Sequence, residues 1–168
     1  MVIEHMQSAA TRGKPLGWMA EEDWKDTLQI MKDRGLEGDR YFLGRGYYSP
    51  RPSHGGREVT LIEVEAVEAL LEGVQNAEGH RLGIKLLPAD TRRNIATAGV
   101  PLNHLVDREF WVGDVLMRGT RLCEPCKYLE SLTQPGVLGG LIHRGGLRAQ
   151  ILTAGTIRSG DIVRPKTP

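Results

Sequence analysis

Cys123 and Cys126 are the only thiols in the sequence, and two residues separate them. A thiolate attacks electrophiles and binds soft metals, and neighbouring cations favour that form. Here Arg121 and Lys127 bracket the pair, in Arg121-Leu-Cys-Glu-Pro-Cys-Lys-Tyr-Leu-Glu130. Two cysteines so spaced can close a disulfide, grip one metal ion between them, or act singly with a neighbour as ligand. Spacing alone does not choose.

A second group of chemistry-bearing residues lies in Pro88-Ala-Asp-Thr-Arg-Arg-Asn-Ile95. Thr91, Arg92, Arg93 and Asn94 form a set of donors suited to phosphate oxygens or heterocycle edges. Surface charge explains either arginine alone more easily than the whole group. In Gly35-Leu-Glu-Gly-Asp-Arg-Tyr41, a turn that no core requires holds Asp39 beside Arg40, for which a local ion pair is the plain explanation. Between Tyr41 and Arg57 the chain is irregular and rich in Gly and Pro, and it carries His54; loops longer than about 12 residues are more often functional than idle. Cys126, Arg92 and Asn94 are expected to converge on one pocket, with Asp39, Arg40 and the His54 loop at its rim.

Positioning these groups requires a folded scaffold, and 168 residues suffice for a single domain over 1–168 that needs no disulfide staples. Net charge of +1 excludes a general polyanion binder, so nucleic acid is not an expected partner. The sequence has no run of roughly 18 apolar residues and no basic-then-apolar leader, which predicts a soluble, cytoplasmic protein without a membrane partner. In a reducing compartment, a close cysteine pair points to metal or redox chemistry.

The patterning predicts a strand over Val2 to Met6 and a loop over Ala10 to Gly17. From Ala20 to Arg34, Trp24, Leu28 and Met31, with Ile30 beside them, predict an amphipathic helix ended by Gly35. Glu58 to Ile62 reads as a strand leading into a helix over Glu63 to Gly73, with Ala66, Val67, Leu70 and Leu71 on its packed face. A strand is expected over Leu82 to Leu87. Glu109 to Val112 and Val115 to Arg118 read as a hairpin about Gly113-Asp114, with further short strands over Leu147 to Thr153 and Asp161 to Val163. The short strands and 21 glycines predict a small β-barrel.

In their order, Gly35-Leu-Glu-Gly-Asp-Arg-Tyr41, Arg92-Arg-Asn-Ile95, Leu102 through Val106, Phe110-Trp-Val-Gly113, Cys123-Glu-Pro-Cys126 and Gly155-Thr-Ile-Arg-Ser-Gly-Asp161 resemble the motifs of MOSC domains. The family is named after the carboxy-terminal domain of molybdenum cofactor sulfurase. The resemblance covers roughly residues 33 to 165 and implies a mostly β fold with some helices, a barrel similar to the pyruvate kinase β-barrel domain. It implies molybdenum cofactor as ligand, a pyranopterin dithiolate with a terminal phosphate, and reduction of N-hydroxylated compounds or sulfur transfer as activities. By position Cys126 resembles the cysteine that ligates molybdenum or carries persulfide sulfur, and Cys123 occupies a place where relatives vary. Thr91, Arg92, Arg93, Asn94, Asp39, Arg40, His54 and Cys123 are then the expected cofactor-binding residues. A redox or sulfur-donor protein is the implied partner, and the family also has an association with pyridoxal phosphate. The resemblance does not extend to the amino-terminal β domain that helps hold the cofactor in the reductases.

Three other readings compete. Cys-Glu-Pro-Cys resembles the Cys-x-Pro-Cys of thioredoxins, but no strand, helix, strand setting is evident around it. A zinc site needs two further ligands, and the five histidines show no paired spacing. The third is a non-enzymatic module that binds the cofactor or its sulfur without turnover.

Overall fold

The computed structural model describes residues 2–6, 27–46 and 58–167, the first stretch by its backbone alone. Seven strands form a curled sheet: β1 (Val2–Met6), β4 (Val59–Glu63), β5 (Ile95–Ala98), β6 (Glu109–Val112), β7 (Val115–Leu122), β8 (Leu147–Ile151) and β10 (Val163–Pro165), in the order β1-β5-β4-β8-β7-β6-β10. A smaller sheet of β3 (Gly35–Leu36), β2 (Thr27–Met31) and β9 (Gly155–Arg158) faces its concave side. Leu28, Ile30, Leu36 and Ile157 of the small sheet join Leu61, Ile95, Phe110, Met117 and Leu147 of the large one in a single apolar core. The result is a half-barrel, mostly strand, as the sequence predicts.

One connection sets the outer layer. β4 and β5 run parallel, which no tight turn can achieve, so the chain crosses over through α1 (Val64–Glu72). Ile62 and Ala96 on the outer face of these strands are covered by Ala66, Val67 and Leu70 of α1, and by Leu129, Val137 and Leu141 of the short helices α2 (Lys127–Leu132) and α3 (Val137–Gly140). Burial on both faces explains why β4 reads as nearly continuous apolar sequence. Leu71, expected on the packed face of α1, is 41% exposed and points away.

Three other expectations are corrected. Thr27–Met31 is a strand rather than part of a helix over 20–34: Leu28 and Ile30 are buried while Thr27, Gln29 and Met31 are exposed, a period of two. The spacing of Leu28 to Met31 suits a helix equally well, and Trp24, which tipped the reading, lies outside the described residues. Leu82 to Leu87 buries Ile84 and Leu86 in alternation but joins no sheet. Its amides bond instead to the end of α1, Leu82 N–H to the Val74 carbonyl and Ile84 N–H to the Leu70 carbonyl, each at 2.9 Å. The last strand begins at Val163, because Asp161 is used in a turn, where its carboxylate accepts the Arg158 amide at 2.7 Å. The strand at Val2–Met6 and the hairpin of β6 and β7 form as predicted, and β7 continues to Leu122.

Past β5 the chain makes a 3-10 turn (Leu102–Leu105) that crosses β7 at Gly119. Asp107 N–H donates to the Gly119 carbonyl and Gly119 N–H to the Arg108 carbonyl, both at 2.9 Å. A Cβ at Gly119 would collide with the Leu105 carbonyl oxygen. Gly119→Ala is therefore expected to lower unfolding free energy by about 1 to 3 kcal/mol, the usual penalty for overpacking. Chemical denaturation measures it, with Gly139→Ala as the comparison, since open space surrounds Gly139 and its φ is not positive. Equal stability of the Gly119 variant and wild type would contradict the crossing.

Candidate functional site

The loop that carries both cysteines leaves β7 at Leu122 and enters α2 at Lys127. Cys123 is buried, Cys126 is half-buried against the outer apolar cluster, and neither is in a disulfide. Arg121 and Lys127, which bracket them in sequence, both point into solvent.

Arg93 fixes the loop. Its guanidinium donates from Nε to the Gly145 carbonyl at 2.8 Å, from Nη1 to the Thr91 carbonyl at 2.9 Å and from Nη2 to the Cys123 carbonyl at 2.8 Å. A planar fork aims its donors in fixed directions at three separate segments, whereas an ammonium is a compact charge on a flexible stem. From the other side, Cys123 N–H donates to the Gly146 carbonyl at 2.7 Å. Gly145 packs so closely that a Cβ there would meet the Cys123 carbonyl oxygen at 2.6 Å and the Pro125 ring at 3.0 Å. Between the cysteines, Glu124 accepts the His143 amide and bonds His143 Nδ1, each at 2.9 Å. Burial raises the Glu124 pKa, but the amide, ring bond and charge of His143 outweigh it, and the carboxyl sits below its ordinary range.

Arg92 and Asn94 face a different set of partners. Asn94 is 6% exposed, and its side-chain oxygen accepts both the Thr60 amide at 3.0 Å and the Thr60 hydroxyl at 2.8 Å. Its amide nitrogen donates to Asp39 at 3.3 Å. Asp39, also buried, accepts the Tyr41 amide at 2.9 Å and pairs with Arg40 at 3.5 Å, so the plain ion-pair reading holds and is joined by a long-range contact. Arg40 Nη2 in turn donates to the Arg92 carbonyl at 3.3 Å. Arg92 closes a 3-10 turn (Pro88–Thr91) in the left-handed conformation, with φ of 60°, a backbone region non-glycine residues enter at some cost. Thr91 is fully buried and uses its hydroxyl on the Pro88 carbonyl.

Arg40 thus takes the buried Asp39 carboxylate, and the half-buried Arg92 lies within electrostatic reach of both. Desolvation first, and the Arg40 charge second, lower the Arg92 pKa to about 10, against opposing help from Tyr128, Asp39 and Tyr41. Tyr128 is two residues beyond Cys126 on α2, which brings Arg92 to the side of the cysteine loop. The cationic character continues across the sheet. Leu61 and Leu147 point into the core, so their neighbours Thr60 and Arg148 point outward, and Thr60, Arg148 and Arg121 lie opposite one another on successive strands. Like charges in such a row are unfavourable unless something negative lies near.

Asp39, Arg40, Arg92 and Asn94 are therefore one contact cluster, and Arg93 ties the adjoining turn to Cys123. His54 lies outside the described residues. Sequence reasoning missed Gly145, His143, Tyr128 and Arg148. The double glycine at 145–146 was the available signal, since adjacent glycines mark a place where backbone must pass close to backbone.

Removing the Arg93 fork leaves buried carbonyls short of donors. Arg93→Ala should quicken hydrogen exchange of the Cys123 amide by about tenfold or more, with no rescue by Arg93→Lys, while the amides of β6 are unchanged. Unaltered exchange at Cys123 would show that the loop is held by other means.

Comparison with known proteins bears on the fold and the family. No curated protein matches the chain. Among solved structures, the YuaD protein from Bacillus subtilis is similar with a TM-score of 0.62 at 19% identity, over 97% of this chain and 94% of that one. YiiM from Escherichia coli is similar with a TM-score of 0.62 at 16% identity, over 100% of this chain and 71% of that one. YiiM from Geobacillus stearothermophilus gives 0.54 at 16% identity, over 67% and 55% respectively. At these identities the likeness is one of fold. The family model named MOSC domain matches residues 50–164, more than half of the sequence and the whole span from β4 to β10 apart from its last residue, and the chain belongs to the MOSC domain family.

Proposed function

We propose that this protein binds molybdenum cofactor, with Cys126 as the molybdenum ligand or as the carrier of a persulfide sulfur. The observation that carries the reading is buried Arg40, paired with Asp39, and half-buried Arg92 within electrostatic reach of both, on a turn that Arg93 ties to the loop bearing the half-buried Cys126. Holding Arg92 charged is unfavourable to the fold at any pH below about 10, and a bound anion offsets that cost. A terminal phosphate fits this requirement, and the amide and hydroxyl groups nearby fit the edges of a pterin. The donor set fits the group.

In this reading Arg40 and Arg92 hold the phosphate, and Arg148 extends the positive field toward the cysteine loop. Asp39 and Asn94 keep the two arginines in place. Arg93 works indirectly, by fixing the loop so that Cys126 faces one direction. When bound, the cofactor supplies two-electron redox chemistry and oxygen-atom transfer, so this chain need only hold it, offer one soft thiolate and leave room for substrate. Reduction of an N-hydroxylated compound and transfer of sulfur both fit that division of labour.

The two key residues should fail differently. Cys126→Ser replaces a soft ligand by a hydroxyl, so activity or sulfur loading should be lost while part of the pterin is retained. Arg92→Ala should release pterin, with affinity down about tenfold to hundredfold, the loss of one charge-assisted contact of roughly 1.5 to 3 kcal/mol. Molybdenum and pterin are quantified on protein from a host that makes the cofactor, beside reduction of an amidoxime with an artificial electron donor. Full activity in Cys126→Ser contradicts the ligand role, and a loaded wild type without turnover or sulfur transfer favours a binding module.

Affinity for a simple phosphate monoester adds a pH test. The monoester stays a dianion above pH ~7, whereas Arg92 loses its proton as pH rises through about 10. Affinity should therefore be flat between these values and fall above the second, and the part of the fall due to Arg92 should be missing in Arg92→Ala. Identical profiles in the two proteins would contradict the assignment.

A further inference from the structure

On the other side of the 3-10 turn at Leu102–Leu105 lies a cavity of about 850 Å³, bounded by that turn, the start of β6 and strand β10. It is separate from the cysteine loop: Asn103 on the same turn reaches the opposite way, donating to the His143 carbonyl at 2.9 Å. The exposed apolar part of the cavity's lining is Pro101 and Pro165, over Val100, Leu105 and Val163, which are 9% exposed or less and belong to the core. Its walls carry four cationic side chains, Arg108, Arg118, Arg164 and Lys166, against the carboxylates Asp107 and Glu109.

How those charges are paired decides what the cavity can take. Glu109 holds Arg118 at 2.6 Å and Lys166 at 2.8 Å, and these two hydrogen bonds keep its carboxyl below the ordinary range. That pairing leaves Arg108 and Arg164 as the cations without a carboxylate among the described residues. Arg164 lies over the Trp111 ring, 5.4 Å from its centroid, an arrangement that steadies a guanidinium without neutralising it. Four cations to two carboxylates, with Arg108 and Arg164 in no ion pair among the described residues, beside exposed proline rings match an anionic group attached to an apolar body, and the volume lies within the range of about 300 to 1,000 Å³ usual for small-molecule sites.

We infer that the cavity between the Leu102–Leu105 turn and β10 is a second ligand site, which binds a small amphiphilic organic anion. The acid group, carboxylate or phosphate, is held by Arg108 and Arg164, and the apolar body rests on Pro101, Leu105 and Pro165. The inference does not rest on the reading of Cys126.

The test uses 1-naphthyl phosphate and 1-naphthoate, titrated into the full chain carrying Arg92→Ala so that binding at the Arg92 cluster is weakened. Amide resonances locate the binding, and calorimetry gives the affinity. We expect one saturable site, with shifts concentrated in residues 104–108 and 163–167. Adding Arg108→Ala or Arg164→Ala should weaken binding about tenfold or more. Neutral 1-naphthalenemethanol and inorganic phosphate should each bind at least about tenfold more weakly than the naphthyl anions, because each lacks one half of the recognised chemistry. Preference for the carboxylate over the phosphate, or the reverse, identifies the acid group. The inference is overturned by an absence of saturable binding, by shifts centred elsewhere, by binding indifferent to both arginine substitutions, or by inorganic phosphate binding as well as the naphthyl esters.

Discussion

Everything proposed for the cysteine loop depends on one guanidinium. Arg93 reaches three backbone carbonyls on three segments, and without it the turn at 88–94, the loop at 143–146 and the cysteine loop have no common anchor. A side chain that satisfies several buried acceptors is costly to lose, because each acceptor is then left in a dry environment. The position of Arg93 directly between Arg92 and Asn94 has a structural consequence. Fixing the loop also fixes the residues that face the proposed anion, so the thiol and the cationic cluster are held relative to each other by the same few atoms.

The half-barrel supplies the rigid base for this. β4 and β5 are buried on both faces and paired in parallel, and their ends deliver Thr60 and Asn94 side by side. Asp39 reaches Asn94 from the small sheet's side, 55 residues away in sequence. The cluster is therefore a meeting of distant segments on a stiff support, and it concentrates positive charge where the fold alone gains nothing from it. A lowered pKa at Arg92 is the physical record of that cost.

The sequence made the parts legible more readily than their arrangement. Ordered motifs identified the family, short strand patterns about Gly113-Asp114 located the hairpin, and a nearly continuous apolar run located β4. Failures came where a short apolar stretch fitted two periods, as at Leu28 to Met31, or where alternation occurred without a partner strand, as at Leu82 to Leu87. At the site, residue types singled out Arg92, Arg93 and Asn94 together, but types alone could not divide them. Arg92 faces Arg40 and Tyr128, Arg93 is spent on backbone, and Asn94 locks Thr60 to Asp39. Arg148 was invisible because its relation to Thr60 and Arg121 exists only through strand register.

The central claim is that Cys126 and the Arg40–Arg92 pair bind two ends of one ligand. Anomalous diffraction at the molybdenum edge, on crystals of protein loaded with the cofactor, tests it most directly. The account predicts a single anomalous peak bonded to the Cys126 sulfur, with phosphate density between Arg40 and Arg92. A peak remote from Cys126, or phosphate density on other residues, would contradict it.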